Sequence, residues 1–155
     1  MACPYFMPVA RLEDGSFLHE ARLPLGWGWN GRCTAPGHDE TVPSQNELQE
    51  FCNLGYAKGC SRLPQERAWD SVRFGARTVG GNEKTRSGGR VQVRYVCERD
   101  HLPAEHGTIE FDLSKPGQRC DQRHPDSRVQ RMAECFLAAY MEKRKRRELP
   151  SELAS

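Results

Sequence analysis

Four cysteines, Cys3, Cys33, Cys52 and Cys60, lie within the first 66 residues of a 155-residue chain that contains seven in all. Thiolates are soft ligands, and four of them converging from different directions hold an iron–sulfur cubane whether or not they are close in sequence. The stretch Cys52-Asn53-Leu54-Gly55-Tyr56-Ala57-Lys58-Gly59-Cys60 has the most defined plan. A helix delivers the first thiolate, and a glycine-bracketed turn returns the second. The expectation is a [4Fe–4S] cluster with Cys3, Cys33, Cys52 and Cys60 as its ligands.

The surroundings of these cysteines agree with that chemistry. Cys3-Pro4, and the Leu63-Pro64 that follows Cys60, resemble the proline found beside cluster cysteines in ferredoxin-type loops. Gly55, Gly59 and the set Gly26, Gly28 and Gly31 would let backbone N–H groups approach sulfur and stabilise its charge. Tyr5, Phe6, Trp27, Trp29, Phe51 and Tyr56 would wall the cluster from water. The dispersed pattern is similar in style to the cluster sites of some DNA primases, helicase-nucleases and glycosylases, but shares none of their spacings.

Zinc is the alternative cofactor. Structural zinc draws on tight C-x₂₋₄-C or H-x₃₋₅-H pairs, and the chain has no C-x₂-C. Cys33 and His38 form C-x₄-H, which leaves a mixed Cys/His site open. Cys97-x₃-His101 and Cys120-x₃-His124 also have ligands suited to zinc. Their strands run in opposite directions, however, so the two pairs should stand about 20 Å apart. The plainest reading makes Cys52 a buried core thiol and the rest incidental. Cys97 and Cys135 are read as core or boundary residues.

The compartment follows from the same thiols. No basic, apolar leader opens the sequence, and no run of 18 uncharged apolar residues occurs, so neither secretion nor a membrane span is expected. A chain in the reducing cytoplasm keeps its thiols free or metal-bound. An apolar content of 37%, with ten prolines and fourteen glycines, describes a loop-rich protein that a metal would help to hold together. Residues 1–66 carry five basic and eight acidic side chains, a net −3. Residues 67–155 carry eighteen and thirteen, a net +5. That asymmetry divides the chain into a cysteine-rich metal lobe over 1–66, a sheet-and-helix region over 67–147 and a tail over 148–155, either as two lobes or around one shared core.

The elements that must position the cysteines are short. Phe6 to Leu12 and Phe17 to Leu23 flank Asp14-Gly15, a favoured hairpin turn. Ser44-Gln45-Asn46-Glu47 is a capping box, after which Leu48, Phe51 and Cys52 share a helix face that Gly55 ends. A second short helix is expected from Pro64 through Trp69. From Val72 the apolar period becomes two. Val72, Phe74 and Ala76, then Val91, Val93, Tyr95 and Cys97, then Ile109, Phe111 and Leu113 predict a three-stranded antiparallel meander with one apolar face. Its first connection, Gly80 to Gly89, is polar and glycine-rich. Asp126 or Ser127 caps a last helix whose Val129, Met132, Phe136, Ala139 and Tyr140 repeat at three and four. The fold class is therefore α+β, with a loop-rich N-terminal lobe followed by a sheet packed on the C-terminal helix.

Other signals are weaker. Lys143 to Arg147 suits a helix C-terminus without further purpose. Arg73, Arg77, Arg90, Gln92 and Arg94 make a polar, mostly basic sheet face that would suit nucleic acid. Gly80-Gly81-Asn82-Glu83-Lys84-Thr85 lacks the glycine before the lysine of a phosphate loop. His101, Glu105 and His106 share one segment and have the chemistry of acid–base groups. Full cysteine ligation leaves no open iron position, which points away from an enzyme and towards electron transfer or redox sensing with a redox partner protein. The other class of function is a zinc-stabilised interaction module that binds nucleic acid through its arginine-rich face.

Overall fold

The computed structural model of the chain describes residues 1–13, 17, 23–39, 41–54, 59–79, 89–114, 119–120 and 122–148. The architecture is α+β, with two antiparallel sheets and a long C-terminal helix. Strands β1 (Phe6–Arg11) and β2 (Trp29–Cys33) form the first sheet. Strands β3 (Ser71–Val79), β4 (Arg90–Arg99), β5 (Leu102–Asp112) and the two-residue β6 (Arg119–Cys120) form the second, in the order β3-β4-β5-β6. The meander read from the period-two pattern is present, with β6 added at one edge.

The first sheet contains a pairing that the sequence pattern does not predict. β1 takes Trp29–Cys33 as its partner, with Phe6 opposite Cys33 and Arg11 opposite Trp29. Asp14-Gly15 and most of the segment expected to return beside β1 lie outside the described residues. The close approach of β1 and β2 needs Gly31, because a Cβ there would collide with the carbonyl of Met7 and the ring of Phe6. A bulge at Val9 then shifts the register between Pro8 and Ala10.

Ser44 caps α1 (Gln45–Glu47), its hydroxyl accepting the N–H of Glu47 at 3.3 Å. Glu47 does not reach back to complete the box. Its carboxylate pairs with Arg62 instead. The helix then widens into a π-helical turn over Leu48–Cys52, closed by Asn53 N–H on the Leu48 carbonyl at 3.1 Å. Its expected end, Gly55, lies outside the described residues. The second short helix does not form. Arg67 takes the Pro64 and Gln65 carbonyls with its guanidinium, so these acceptors serve a side chain and not a helical ladder.

Helix α2 (Ser127–Glu148) lies on the apolar face of the second sheet. Val91, Val93, Ile109 and Phe111 pack with Ala133 and Leu137. A second cluster joins the halves of the sequence: Ala2, Cys3, Phe6, Leu25, Trp29 and Leu48 share it with Val72, Cys97, Val129, Met132 and Cys135. Gly26, at φ 79°, fits against α2 because its missing Cβ would meet Ala139. No helix of the described residues is long and apolar enough to cross a membrane.

Candidate metal centre

The N-terminus is anchored first. Ala2 and Val72 exchange two backbone hydrogen bonds, of 2.7 and 2.9 Å, which fix Ala2 against the start of β3. Cys3 follows immediately and donates its N–H to the Cys52 carbonyl at 3.3 Å. The chain then turns, with Phe6 N–H on the Cys3 carbonyl at 3.1 Å. Burial pushes the Cys3 thiol up to about 11, while the N–H groups of Tyr5 and Phe6, hydrogen-bonded to its sulfur, act the other way. Backbone donors aimed at a cysteine sulfur two and three residues upstream are what a thiolate needs once it carries charge.

Cys33 is brought to this turn by the β1–β2 register, which sets it opposite Phe6. Thr34 reinforces the contact, since both its N–H and its hydroxyl donate to the Tyr5 carbonyl, at 2.8 and 2.7 Å. On the far side Cys33 N–H bonds the Thr41 carbonyl at 2.9 Å. Cys52 ends the π-helical turn, and its neighbour Asn53 locks that turn to β2. Asn53 Oδ1 accepts Trp29 N–H and its Nδ2 donates to the Trp29 carbonyl, both at 2.9 Å, with a third bond to the Leu48 carbonyl at 3.0 Å. The segment holding Cys60 is tied to α1 by the Arg62–Glu47 ion pair.

Cys3 responds to charge on Cys33 and Cys60. Burial raises the Cys52 thiol most, and Cys3, Cys33, Cys60 and then Glu47 raise it further. None of the four is in a disulfide. Neighbourhood is not yet a coordination shell: among the described residues, no group of three or more His, Cys, Asp or Glu is arranged to hold a metal ion.

No family model, no curated protein and no solved structure matches this chain. The chemistry must be read from its own residues.

The expected wall is partly in place. Phe6 and Trp29 are buried in the cluster that contains Cys3, and Tyr5, Trp27 and Phe51 pack against it together with Cys52 and Cys60. Tyr56 lies outside the described residues. The role given to Gly26 and Gly31 differs from expectation, for they allow chain segments to pack closely, and the donors to sulfur come from Tyr5 and Phe6. Trp29 Nε1 is buried without a hydrogen-bond partner among the described residues.

Cys97 and Cys135 behave as core. Burial pushes Cys97 up to about 12, Glu105 and Asp126 adding to it. Cys135 is also held at about 12 by burial. The backbone of Cys120 pairs with Phe111, which pairs with Val91, six residues from Cys97 along β4 and so about 20 Å away. The second Cys/His set is therefore not assembled. His101 sits at the hairpin tip with φ 64°, and Asp70 fixes that turn by accepting Asp100 N–H at 2.7 Å.

Residue spacing does not predict the contact made by His124. Its Nδ1 accepts Asp126 N–H at 2.9 Å, and its Nε2 lies 3.0 Å from Glu105 Oε1. With Nδ1 an acceptor, the neutral ring carries its proton on Nε2 and donates to Glu105. Tyr95 closes over the ring edge-on at a centroid distance of 4.7 Å. Both ring nitrogens are used, so the group staples α2's entry to β5. His106, the residue after Glu105, does not join them, for it is exposed on β5 while Glu105 is turned to His124.

Arg128 was equally hidden. From the first turn of α2 it donates to Asp126 and, at 3.2 Å, to Thr34 Oγ1, and its guanidinium stands 4.9 Å from the Tyr5 ring centre. One side chain thus braces both the Cys3 turn and the Cys33 strand end. Spacing could not reveal it, since Thr34 and Arg128 are 94 residues apart.

Proposed function

We propose that the chain is a small iron–sulfur protein in which Cys3, Cys33, Cys52 and Cys60 hold a [4Fe–4S] cluster. It works in electron transfer or redox sensing with a partner protein. The observation that carries this reading is the backbone frame around the cysteines: Cys3 N–H bonds the Cys52 carbonyl at 3.3 Å, and the β1–β2 register sets Cys33 opposite Phe6 at the Cys3 turn. Four cysteines spread over 58 residue positions lie on segments that backbone hydrogen bonds and one ion pair tie together. Neutral thiols contribute little to such a place. Deprotonated and metal-bound, they would cross-link the Cys3 turn, the end of β2, the π-helical turn and the Cys60 segment, at the cost of four released protons.

The donor set favours iron–sulfur chemistry over zinc by its spacing, which has no C-x₂-C pair. The N–H donors at Cys3 match the hydrogen bonds that tune cluster sulfurs. With all four irons ligated by cysteine, the cluster would exchange one electron with its partner and would offer no site to a substrate.

The test is anaerobic purification followed by a visible spectrum and iron and sulfide analysis. A brown protein with a broad band near roughly 400 nm, about four irons and four sulfides per chain supports the cluster. A colourless protein with one tightly held zinc would replace electron transfer by a structural metal. A metal-free protein of full stability would show the four cysteines to be ordinary core thiols.

A further inference from the structure

Helix α2 covers one face of the second sheet; on the other, Met1 lies over the end at Ser71 and Glu98, both buried, and the arginine rows beyond it are exposed. That open face presents Arg73, Gly75 and Arg77 from β3, Arg90, Gln92 and Arg94 from β4, and His106, Thr108 and Glu110 from β5, in register. Arg73, Gly75, Arg77, Arg90, Arg94 and His106 are all exposed. Its three carboxylates are already engaged: Asp112, opposite Arg90, accepts Ser114 N–H at 2.9 Å. Glu98 pairs with Arg73 at 3.1 Å, and Glu110 takes the Gln92 amide at 2.7 Å and faces Arg90 at 3.7 Å. Arg73 and Arg90 keep 54% and 58% of their side chains exposed even so.

The centre of the face is open. Arg94 stands between Gly75 and Thr108 in the cross-strand row. A Cβ added at Gly75 would meet nothing within 4 Å. Among the described residues Arg94 has no hydrogen-bond or ion-pair partner. Arginines on an edge strand commonly serve to discourage sheet-to-sheet association. That accounts for Arg73 and Arg77 on β3, but not for Arg90 and Arg94 on β4, which is paired on both sides.

We propose that this face docks the phosphate backbone of a nucleic-acid duplex, independently of the metal centre. Four guanidinium forks match phosphate oxygens. Arg73 and Arg77 are about 13 Å apart along β3, and Arg94 lies on the neighbouring strand about 5 Å away. The occupant is a duplex because the aromatics of these strands, Phe74, Tyr95 and Phe111, point inward to the core clusters. The face therefore offers no ring on which an unpaired base could stack. Arg144 donates to Thr78 Oγ1 at 2.8 Å and so carries the basic end of α2 to the end of β3, extending the positive edge.

The experiment is fluorescence anisotropy of the full chain with a labelled 20-base-pair DNA duplex of arbitrary sequence, from 50 to 200 mM KCl. Binding with a log–log salt slope of about −3 to −4 is expected for four phosphate contacts. Arg94→Ala should weaken it and reduce the slope by about 1. Gly75→Glu, which fills open space and so leaves the fold intact by circular dichroism, should weaken it at least tenfold at 50 mM. No binding at 50 mM, wild-type binding by both variants, or tighter binding of the corresponding single strand would each overturn the proposal.

Discussion

Cys97 and Cys135 carry the same thiol as Cys3 and Cys52, and burial raises the pKa of all four. What separates them is company. Cys3 and Cys52 have other cysteines among the groups that move their pKa, whereas Cys97 answers to Glu105 and Asp126, and Cys135 to Arg131 and Glu134. Serine substitution should divide them accordingly. Cys3→Ser, Cys33→Ser, Cys52→Ser or Cys60→Ser is expected to remove the visible band and most of the iron. Cys97→Ser should keep both while lowering stability by about 1–3 kcal/mol, because it places a hydroxyl in an apolar core. Urea titration and the spectrum of each variant check this. Equal iron loss in both groups would mean that folding, and not ligation, controls the colour. The residue types and counts make this division an expectation from sequence, which the serine series tests. The Tyr5 and Phe6 N–H donors, the Asn53 clasp and the Arg128 brace were not legible there, because each joins residues whose spacing has no period. The unpaired Trp29 Nε1 remains without a physical account among the described residues.

At the scale of elements, period decided what could be read. β3, β4, β5 and α2 were legible because apolar residues recur at two, or at three and four, over long stretches. The partner of β1 was not, since strand pairing depends on which surfaces can approach. Gly31 meets that condition, and Gly31→Ala is expected to cost about 1–3 kcal/mol by overpacking β1 against β2. If Cys33 is a ligand, iron content should fall with it, as metal analysis against urea midpoint would show. The entry to α2 makes a separate prediction. Asp126 accepts the N–H of Arg128 at 2.9 Å as the N-cap. Burial alone would raise its pKa, but the donors of Arg128, with the N–H of Val129, outweigh burial and hold the carboxyl below the ordinary aspartate range. Asp126→Ala should therefore lower stability by about 1–2 kcal/mol near neutral pH. Since the folded pKa lies below the unfolded one, the unfolded chain binds more protons between them, and stability rises with pH there. The contribution is complete above the unfolded value of about 3.9 and is lost as pH falls through the folded one. The difference between wild type and variant in urea should be constant from pH 5 to 8 and vanish in strong acid. A difference that grew in acid would refute the assignment.

For the whole molecule, the shared core matters more than the boundary near residue 66. Ala2 and Cys3 lie in one buried cluster with Val72, Cys97, Val129 and Met132, and Ala2 is hydrogen-bonded to β3 itself. Arg11 also reaches Glu142 on α2 at 3.2 Å. An N-terminal lobe wired to the sheet and helix in this way cannot lose its packing without opening the rest. Any metal held by the folded chain and not by the unfolded one adds to the stability of that whole unit. Heating is therefore expected to bleach the visible band and melt the far-ultraviolet signal of α2 and the sheet at one temperature. Chelation should move that common transition down without splitting it. Coincidence of the two probes is the mark of a single cooperative unit. Two well-separated transitions, colour lost first with α2 intact, would show that the cysteine lobe opens alone, and the shared cluster would then be a contact between two domains.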